Sequence, residues 1–357
     1  KRQSLLLFLL WALYSLVLTF GQSRFLYIST IYMGALISIL VFYVLDYLQR
    51  SQEENGRKVH GVVAMAIIIL LILPMAIDAI SFAQSTPPAI AGDWYESLSW
   101  LKENSPATSF YSDPRAVSEY SVMSWWDYGN WILYLAERPV VANNFQSGVE
   151  DAVRFYLAEN ETEAIQIMDA RGARYVLADY SMVFGKLVSL AEWANEDVNS
   201  YLVQEEYGNQ IKVMPKERFF NTILGRLYLA DGAGLGSFRL IYESRTFLGG
   251  NPGNSRVKVF QYVPGALLRI HAAPDQSASA RLNLTSNMER KFIYLNQAVW
   301  KGDFLEMRVP YPTERSYETH AIDPYWVFLG NEKGMKTQRV EVSEEDVLFG
   351  RSIDLTF

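Results

Sequence analysis

Three long apolar stretches dominate the beginning of the chain, at residues 4–20, 25–47 and 61–82. Each is close to the roughly 20 apolar residues that a helix needs to cross a bilayer. They are separated only by Gly21-Gln22-Ser23-Arg24 and by a charged segment from Arg50 to His60. Core helices of a soluble protein rarely come as three such runs in series, so the pattern predicts three transmembrane helices within residues 1–84. Lys1 and Arg2 flank the first run, and Arg50, Arg57 and Lys58 lie between the second and third. By the positive-inside rule these flanks are cytoplasmic, which places Gly21–Arg24 and everything beyond about Phe82 on the extracytoplasmic side of a cell membrane. The multiplicity of the runs excludes a signal peptide and predicts the C-terminal part of a longer multi-pass protein.

The pattern changes at Ser85-Thr86-Pro87-Pro88-Ala89-Ile90-Ala91-Gly92, which reads as a linker. Asp93 then predicts the cap of a helix that carries Trp94, Leu98 and Leu101 on one face and ends before Pro106. A short strand over 120–123 follows, then a buried helix over 130–137 and a strand over 139–142. Two helices are expected at 149–158 and 161–170. The run from Arg174 to Asp179 reads as a buried strand ending on an acid, followed by a helix over 182–193 and a longer one over 216–229. Two period-two segments, 238–242 and 257–263, flank the Gly- and Asn-rich turn Leu248–Ser255. Strands alternating with helices make 85–264 a mixed α/β domain. From 265 to 357 only short alternating runs recur, at 267–271, 280–284, 291–294, 304–309 and 326–329, which predicts an all-β, sandwich-like domain. The fold class is therefore a membrane-anchored α+β protein: three transmembrane helices, a mixed α/β domain and an all-β domain.

Composition adds little to this picture. Half of the 357 residues are apolar and the net charge is only -7, so nothing suggests a nucleic-acid partner. With no cysteine, disulfides give no information about compartment. His60, His271 and His320 are far apart in the chain and form no ligand motif, and no D-x-D sequence is found, so no metal ligand is predicted.

Candidate chemistry concentrates in Ser124-Trp125-Trp126-Asp127-Tyr128-Gly129-Asn130-Trp131. Two readings fit these residues alone. In one, Trp125 and Trp131 are core anchors and Asp127 caps a helix. In the other, indole N–H donors and one carboxylate acceptor at a strand-to-helix turn form a pocket for a small donor such as a hydroxyl. Trp125-Trp126-Asp127-Tyr128-Gly129 resembles the WWDYG signature of the catalytic subunit of oligosaccharyltransferase, in its archaeal form. The family carries that signature after its last membrane span, in a C-terminal domain facing outward. Asp179-Tyr180-Ser181-Met182-Val183-Phe184-Gly185-Lys186 is similar to the family's DK motif, and helical spacing puts Met182, Lys186 and Leu190 on one face. Arg24, at the outer end of a span, matches an arginine that in this family contacts the phosphate of a lipid-linked glycan; by itself it also fits an interfacial arginine snorkelling to the headgroups.

The resemblance implies transfer of an oligosaccharide from a dolichyl-phosphate carrier to Asn in Asn-X-Ser/Thr. Trp125, Trp126 and Asp127 would hold the Ser/Thr hydroxyl of the acceptor polypeptide, supported by Met182 and Lys186, with Tyr128, Gly129 and Asp179 as the remainder of the two motifs. It also implies a Mn2+ or Mg2+ ion held by acidic residues of an N-terminal membrane half, so no catalytic residue is expected in this chain, which alone would bind acceptor without transferring glycan. Two alternatives stay open: a membrane-anchored cell-surface carbohydrate-binding protein, and another glycosyltransferase that uses polyprenyl-phosphate sugars. Two sequons, at Asn160 and Asn283, lie on the side predicted to be external.

Overall fold

The structure is a computed structural model that describes residues 2–22, 25–55, 59–85, 90–113, 115–207, 210–249, 253–314, 317–332 and 334–357. The chain divides into two compact units, Lys1–Pro88 and Ala89–Phe357.

The first unit consists of three helices: α1 (Arg2–Gly21), α2 (Leu26–Asn55) and α3 (Val59–Ser85). Among the described residues, the Leu26–Tyr47 segment of α2 is long and apolar enough to cross a membrane. The apolar segments of α1 and α3, Leu6–Gly21 and Ile72–Ser85, are shorter. Leu7, Phe20, Phe42 and Leu70 are all exposed in this unit. Within α1 the Ser15 hydroxyl donates to the Trp11 carbonyl at 2.8 Å, and between α1 and α2 the Thr19 and Ser29 hydroxyls meet. Arg24, the expected phosphate ligand, lies outside the described residues.

The second unit opens with α4 (Gly92–Asn104), which buries Trp94, Leu98 and Leu101 as expected. Asp93 is not its cap. It sits inside the first turn, where its carboxylate accepts the Thr246 amide at 3.0 Å and pairs with Arg256 at 3.5 Å. Then follow β1 (Ser121–Met123), α5 (Gly129–Trp131) running into a single π turn (Ile132–Ala136), α6 (Val149–Leu157), α7 (Glu161–Ala170) and β2 (Ala173–Asp179). The helix expected over 130–137 is thus one α turn and one π turn, ended by Glu137 in the left-handed region. The strand expected at 139–142 is reduced to one bridge between Val140 and Val122.

Next come α8 (Tyr180–Phe184) and α9 (Leu187–Trp193), where one helix had been expected. The amides of Gly185 and Lys186 both turn back to the Ser181 carbonyl, at 2.9 and 2.6 Å, which closes α8 and makes Lys186 the start of α9. A hairpin of β3 (Leu202–Tyr207) and β4 (Gln210–Pro215) was not anticipated. The expected helix over 216–229 is likewise split, into α10 (Glu217–Asn221) and α11 (Ile223–Ala230). Thr222 turns extended there and its hydroxyl accepts the Gly225 amide at 3.0 Å. The chain doubles back so tightly that a Cβ on Gly225 would lie 2.1 Å from the Phe219 carbonyl oxygen.

With β5 (Phe238–Glu243) and β6 (Val257–Tyr262), the strands form a mixed sheet in the order β1-β2-β6-β5. β1 and β2 are parallel, and the other pairs are antiparallel. One hydrophobic cluster covers this sheet and the helices packed on it.

The remainder is two further sheets, formed by β7 (Ala266–Ile270), β8 (Ser277–Thr285), β9 (Lys291–Gln297), β10 (Val299–Lys301), β11 (Phe304–Val309), β12 (His320–Ala321), β13 (Tyr325–Asn331), β14 (Gly334–Val340) and β15 (Ser352–Leu355). They are ordered β10-β11-β7-β15 and β12-β8-β13-β14, with β9 also paired to β8. A second hydrophobic cluster takes Leu268 and Ile270 from one sheet and Leu282 and Val327 from the other. Strand burial alternates along β7 and β8, as half-buried sandwich strands require. This region is not purely β: α12 (Glu344–Phe349) interrupts it, started by a capping box between Ser343 and Asp346.

Candidate acceptor site

The parallel pairing of β1 with β2, Val122 opposite Tyr175 and Met123 opposite Val176, brings the carboxyl ends of both strands to the same edge of the sheet. That is where crevices form in sheets with parallel strands. β1 delivers the Trp-Trp-Asp run into a short 3-10 turn (Trp126–Tyr128), and β2 ends on Asp179, whose Oδ1 accepts the Met182 amide at 2.9 Å and so caps α8. Segments fifty residues apart in sequence therefore meet without any helix having to be long.

The Lys186 ammonium donates to Asp127 Oδ2 at 2.7 Å and stands 4.2 Å from the centre of the Tyr128 ring. Both partners of the pair are about a third exposed, so the pair contributes little to stability and is left for a ligand to use. Tyr128, beneath, is buried and donates its hydroxyl to Asp179 Oδ2 at 2.8 Å; the Trp94 indole donates to the same oxygen at 3.3 Å. Trp94, Tyr128 and Trp131 wall this buried layer, with ring centres 4.1 to 5.6 Å apart. Burial holds the Asp179 carboxyl above its ordinary range, against the hydrogen bonds that pull it back down. Burial and the neighbouring Asp179 charge push the Tyr128 phenol well above its ordinary value, so it remains a donor at any physiological pH.

Trp126 is partly buried, and its indole N–H has no acceptor among the described residues. Buried donors are almost always paired. In the same turn, the Asp127 carboxylate has one oxygen taken by Lys186, and its side chain is about a third exposed. The Trp126 N–H is itself enclosed, whereas the Asp127 carboxylate presents an acceptor that a ligand hydroxyl can reach. Of the remaining residues expected at the site, Trp125 is 1% exposed and Met182 is fully enclosed. They support the turn and α8 from the core, and neither offers surface to a ligand. Leu190, suggested by helical spacing, is also enclosed in the core.

Gly129 follows from close packing. A Cβ there would sit 2.7 Å from both the Ala142 carbonyl oxygen and Asn143 Cα. That neighbouring segment carries Asn144, whose side chain donates to the Asp127 carbonyl at 3.0 Å and accepts the Asn130 amide at 2.9 Å. Gly129→Ala is expected to cost about 1–3 kcal/mol through overpacking and to loosen the Asp127 turn. Denaturant melts of wild type and variant measure the first effect, and amide exchange at Asn130 the second. Trp94 and Asn144 were not anticipated as site residues. Trp94 had a signal, an aromatic at the first turn of a helix with a polar N–H to satisfy; Asn144 had none.

Among the described residues, no three His, Asp or Glu side chains lie together in a way that could hold a metal ion.

Residues 91–183 match the AglB core domain, and residues 265–353 match the long peripheral domain of archaeal glycosylation protein B. The chain is 33% identical over 260 residues to dolichyl-phosphooligosaccharide-protein glycotransferase 1 of Archaeoglobus fulgidus, an alignment covering 64% of this chain and 41% of that protein. Solved structures of an Archaeoglobus fulgidus oligosaccharyltransferase share the fold over 98% of this chain at 23% identity. One, complexed with Zn and sulfate, gives a TM-score of 0.79 and is covered over 56% of its length. Another, of AglB with an inhibitory peptide and a dolichol-phosphate, gives 0.75 and is covered over 53%. The chain thus spans about half the length of the proteins it matches. Matching both the core and the long peripheral domain of AglB, the chain belongs to the AglB family of archaeal oligosaccharyltransferases.

Proposed function

We propose that this chain is the acceptor-reading part of an enzyme that transfers an oligosaccharide from a dolichyl-phosphate carrier to Asn in Asn-X-Ser/Thr sequences. The observation that carries the proposal is the partly exposed Asp127 carboxylate, held by Lys186, in the same turn as an enclosed Trp126 indole N–H that lacks an acceptor. The Ser/Thr hydroxyl donates to Asp127 and accepts from Trp126. Lys186 fixes the carboxylate that receives the hydroxyl proton, and Tyr128, Asp179, Trp125 and Met182 hold the turn and α8 in place. A site that pairs with a hydroxyl rejects peptides lacking it, because its own groups are then left unpaired.

The unit ending at Pro88 lies in a cell membrane as three spans, with α2 the clearest of them. The basic residues on its flanks put the second unit outside. Arg24, at the outer end of a span, is positioned by sequence to meet the carrier phosphate. A divalent ion, Mn2+ or Mg2+, belongs to the reaction, with carboxylate ligands contributed by an N-terminal membrane half.

The test is binding of Asn-X-Thr and Asn-X-Ala peptides to the full-length protein in lipid nanodiscs. Wild type should prefer the threonine peptide. Asp127→Ala should lose that preference by roughly 10- to 150-fold, the equivalent of about 1.5–3 kcal/mol for a hydrogen bond to a charged group. Equal binding of the two peptides by wild type, or a preference that survives Asp127→Ala, would refute the assignment.

A further inference from the structure

The chain carries two Asn-X-Thr tripeptides of its own, Asn160-Glu161-Thr162 and Asn283-Leu284-Thr285, and the fold treats their asparagines in opposite ways. We propose that Asn160 is itself an N-glycosylation site and that Asn283 is not. The proposal rests on the function just described and on the second unit lying outside the membrane.

Asn160 is exposed and forms the N-cap of α7 through Oδ1, which accepts the Thr162 amide at 2.8 Å. The glycan bond is made at Nδ2, so the cap survives modification. Asn283 uses both ends of its amide. Nδ2 donates to Asp323 Oδ2 at 3.0 Å, and Oδ1 accepts from Arg281 at 3.2 Å. It sits half-buried on β8, opposite Ile293 of β9, and its carbonyl accepts the Ile322 amide on the other side. A sugar on Nδ2 would push away Asp323, whose Oδ1 is already buried without a partner, and that cost falls on a strand between two paired neighbours.

The transfer is balanced without any redox partner. The bond between sugar C1 and the carrier's phosphate oxygen breaks, C1 bonds to Nδ2, the amide gives one proton to solvent, and dolichyl phosphate leaves with the electron pair. Its timing also follows from the fold. Glu161, the middle residue of the sequon, accepts the Gly236 and Ser237 amides at 2.9 and 2.8 Å, and Thr162 lies in the first turn of α7. The folded sequon cannot lie extended in another molecule's acceptor site. Transfer at either sequon therefore precedes folding; the helix at Asn160 then closes with the glycan carried outward, whereas a chain modified at Asn283 cannot complete β8, so the folded protein carries the glycan at Asn160 alone.

Peptide mapping by mass spectrometry of the full-length protein, purified from the organism that makes it, tests the proposal. A glycan is expected on the Asn160 peptide and none on the Asn283 peptide. Thr162→Ala, which keeps the Asn160 cap, should abolish the first. A bare Asn160 peptide or a glycan at Asn283 would overturn the proposal, and so would a glycan that persists in Thr162→Ala. Sequons of other exported proteins, followed in the same cells with and without Asp127→Ala, separate the two readings. If those lose their glycans in the variant while Asn160 is bare in wild type, only the present inference fails. If they keep their glycans, the acceptor reading fails as well.

Discussion

Asp179→Ala is expected to destabilise the second unit by about 3 kcal/mol and to abolish acceptor discrimination together with it. The carboxylate receives three donors in a region where water cannot replace it: the Tyr128 hydroxyl, the Trp94 indole and the Met182 amide. Each buried donor left unsatisfied costs about 1–3 kcal/mol, offset in part because the buried carboxylate was itself expensive to desolvate. Tyr128 is both a partner of Asp179 and the ring beneath Lys186, so the change reaches the Asp127–Lys186 pair through one side chain. Urea denaturation reads the stability change, and the Thr-over-Ala peptide preference reads the site. If stability stays within 0.5 kcal/mol of wild type, a range usual for surface substitutions, the buried layer is not what positions the site.

The same group gives a pH signature. Burial raises the Asp179 pKa above its ordinary value of 3.8, so between that value and the raised one the folded state holds the proton while the unfolded chain has released it. The contribution to stability is full below the ordinary value and is lost as pH rises through the raised one. Asp179→Asn cannot titrate. The stability of wild type relative to Asp179→Asn should therefore fall as pH increases from about 4, and a difference that grows with pH would contradict the assigned direction.

What the sequence made legible follows from how local each signal is. The three apolar runs and the Trp-Trp-Asp segment are contiguous, and the two helices flanking Asn160 show their period within ten residues. Lys186 was expected near the Trp-Trp-Asp segment on a single helix, which the structure breaks at Gly185. The turn at Ser181 brings Lys186 to Asp127, a pairing that the sequence did not specify. The breaks at Gly185 and Thr222 were not legible, since apolar periodicity continues through both while backbone hydrogen bonds change direction. Nor were the pairings that join distant segments: Trp94 with Asp179, Asn144 with the Asp127 carbonyl, or Arg239, 1% exposed, with Glu344 of α12 at 2.7 Å. Such contacts depend on register between elements, which one sequence does not encode in any short window.

The largest of these hidden pairings predicts the strongest single effect on stability. Arg290, in the turn between β8 and β9, reaches out of the sandwich and grips two carboxylates of the α/β region: Glu243 at 2.7 Å and Asp231 at 2.8 Å. Lys258, fully buried, donates to Asp231 and to the Tyr228 carbonyl, each at 2.6 Å. Two positive and two negative groups thus balance in a nearly closed space. Arg290→Ala leaves two carboxylates facing a single ammonium and should cost about 3–5 kcal/mol, the usual penalty for breaking a buried pair from one side. Arg290→Lys should recover only part of that, because one ammonium cannot serve two carboxylates in forked geometry. Since the lost contact joins the two hydrophobic clusters, calorimetry of Arg290→Ala should resolve two transitions where wild type shows one. A single transition shifted by less than about 1 kcal/mol would mean that the Glu344–Arg239 contact, and not Arg290, holds the sandwich to the α/β region.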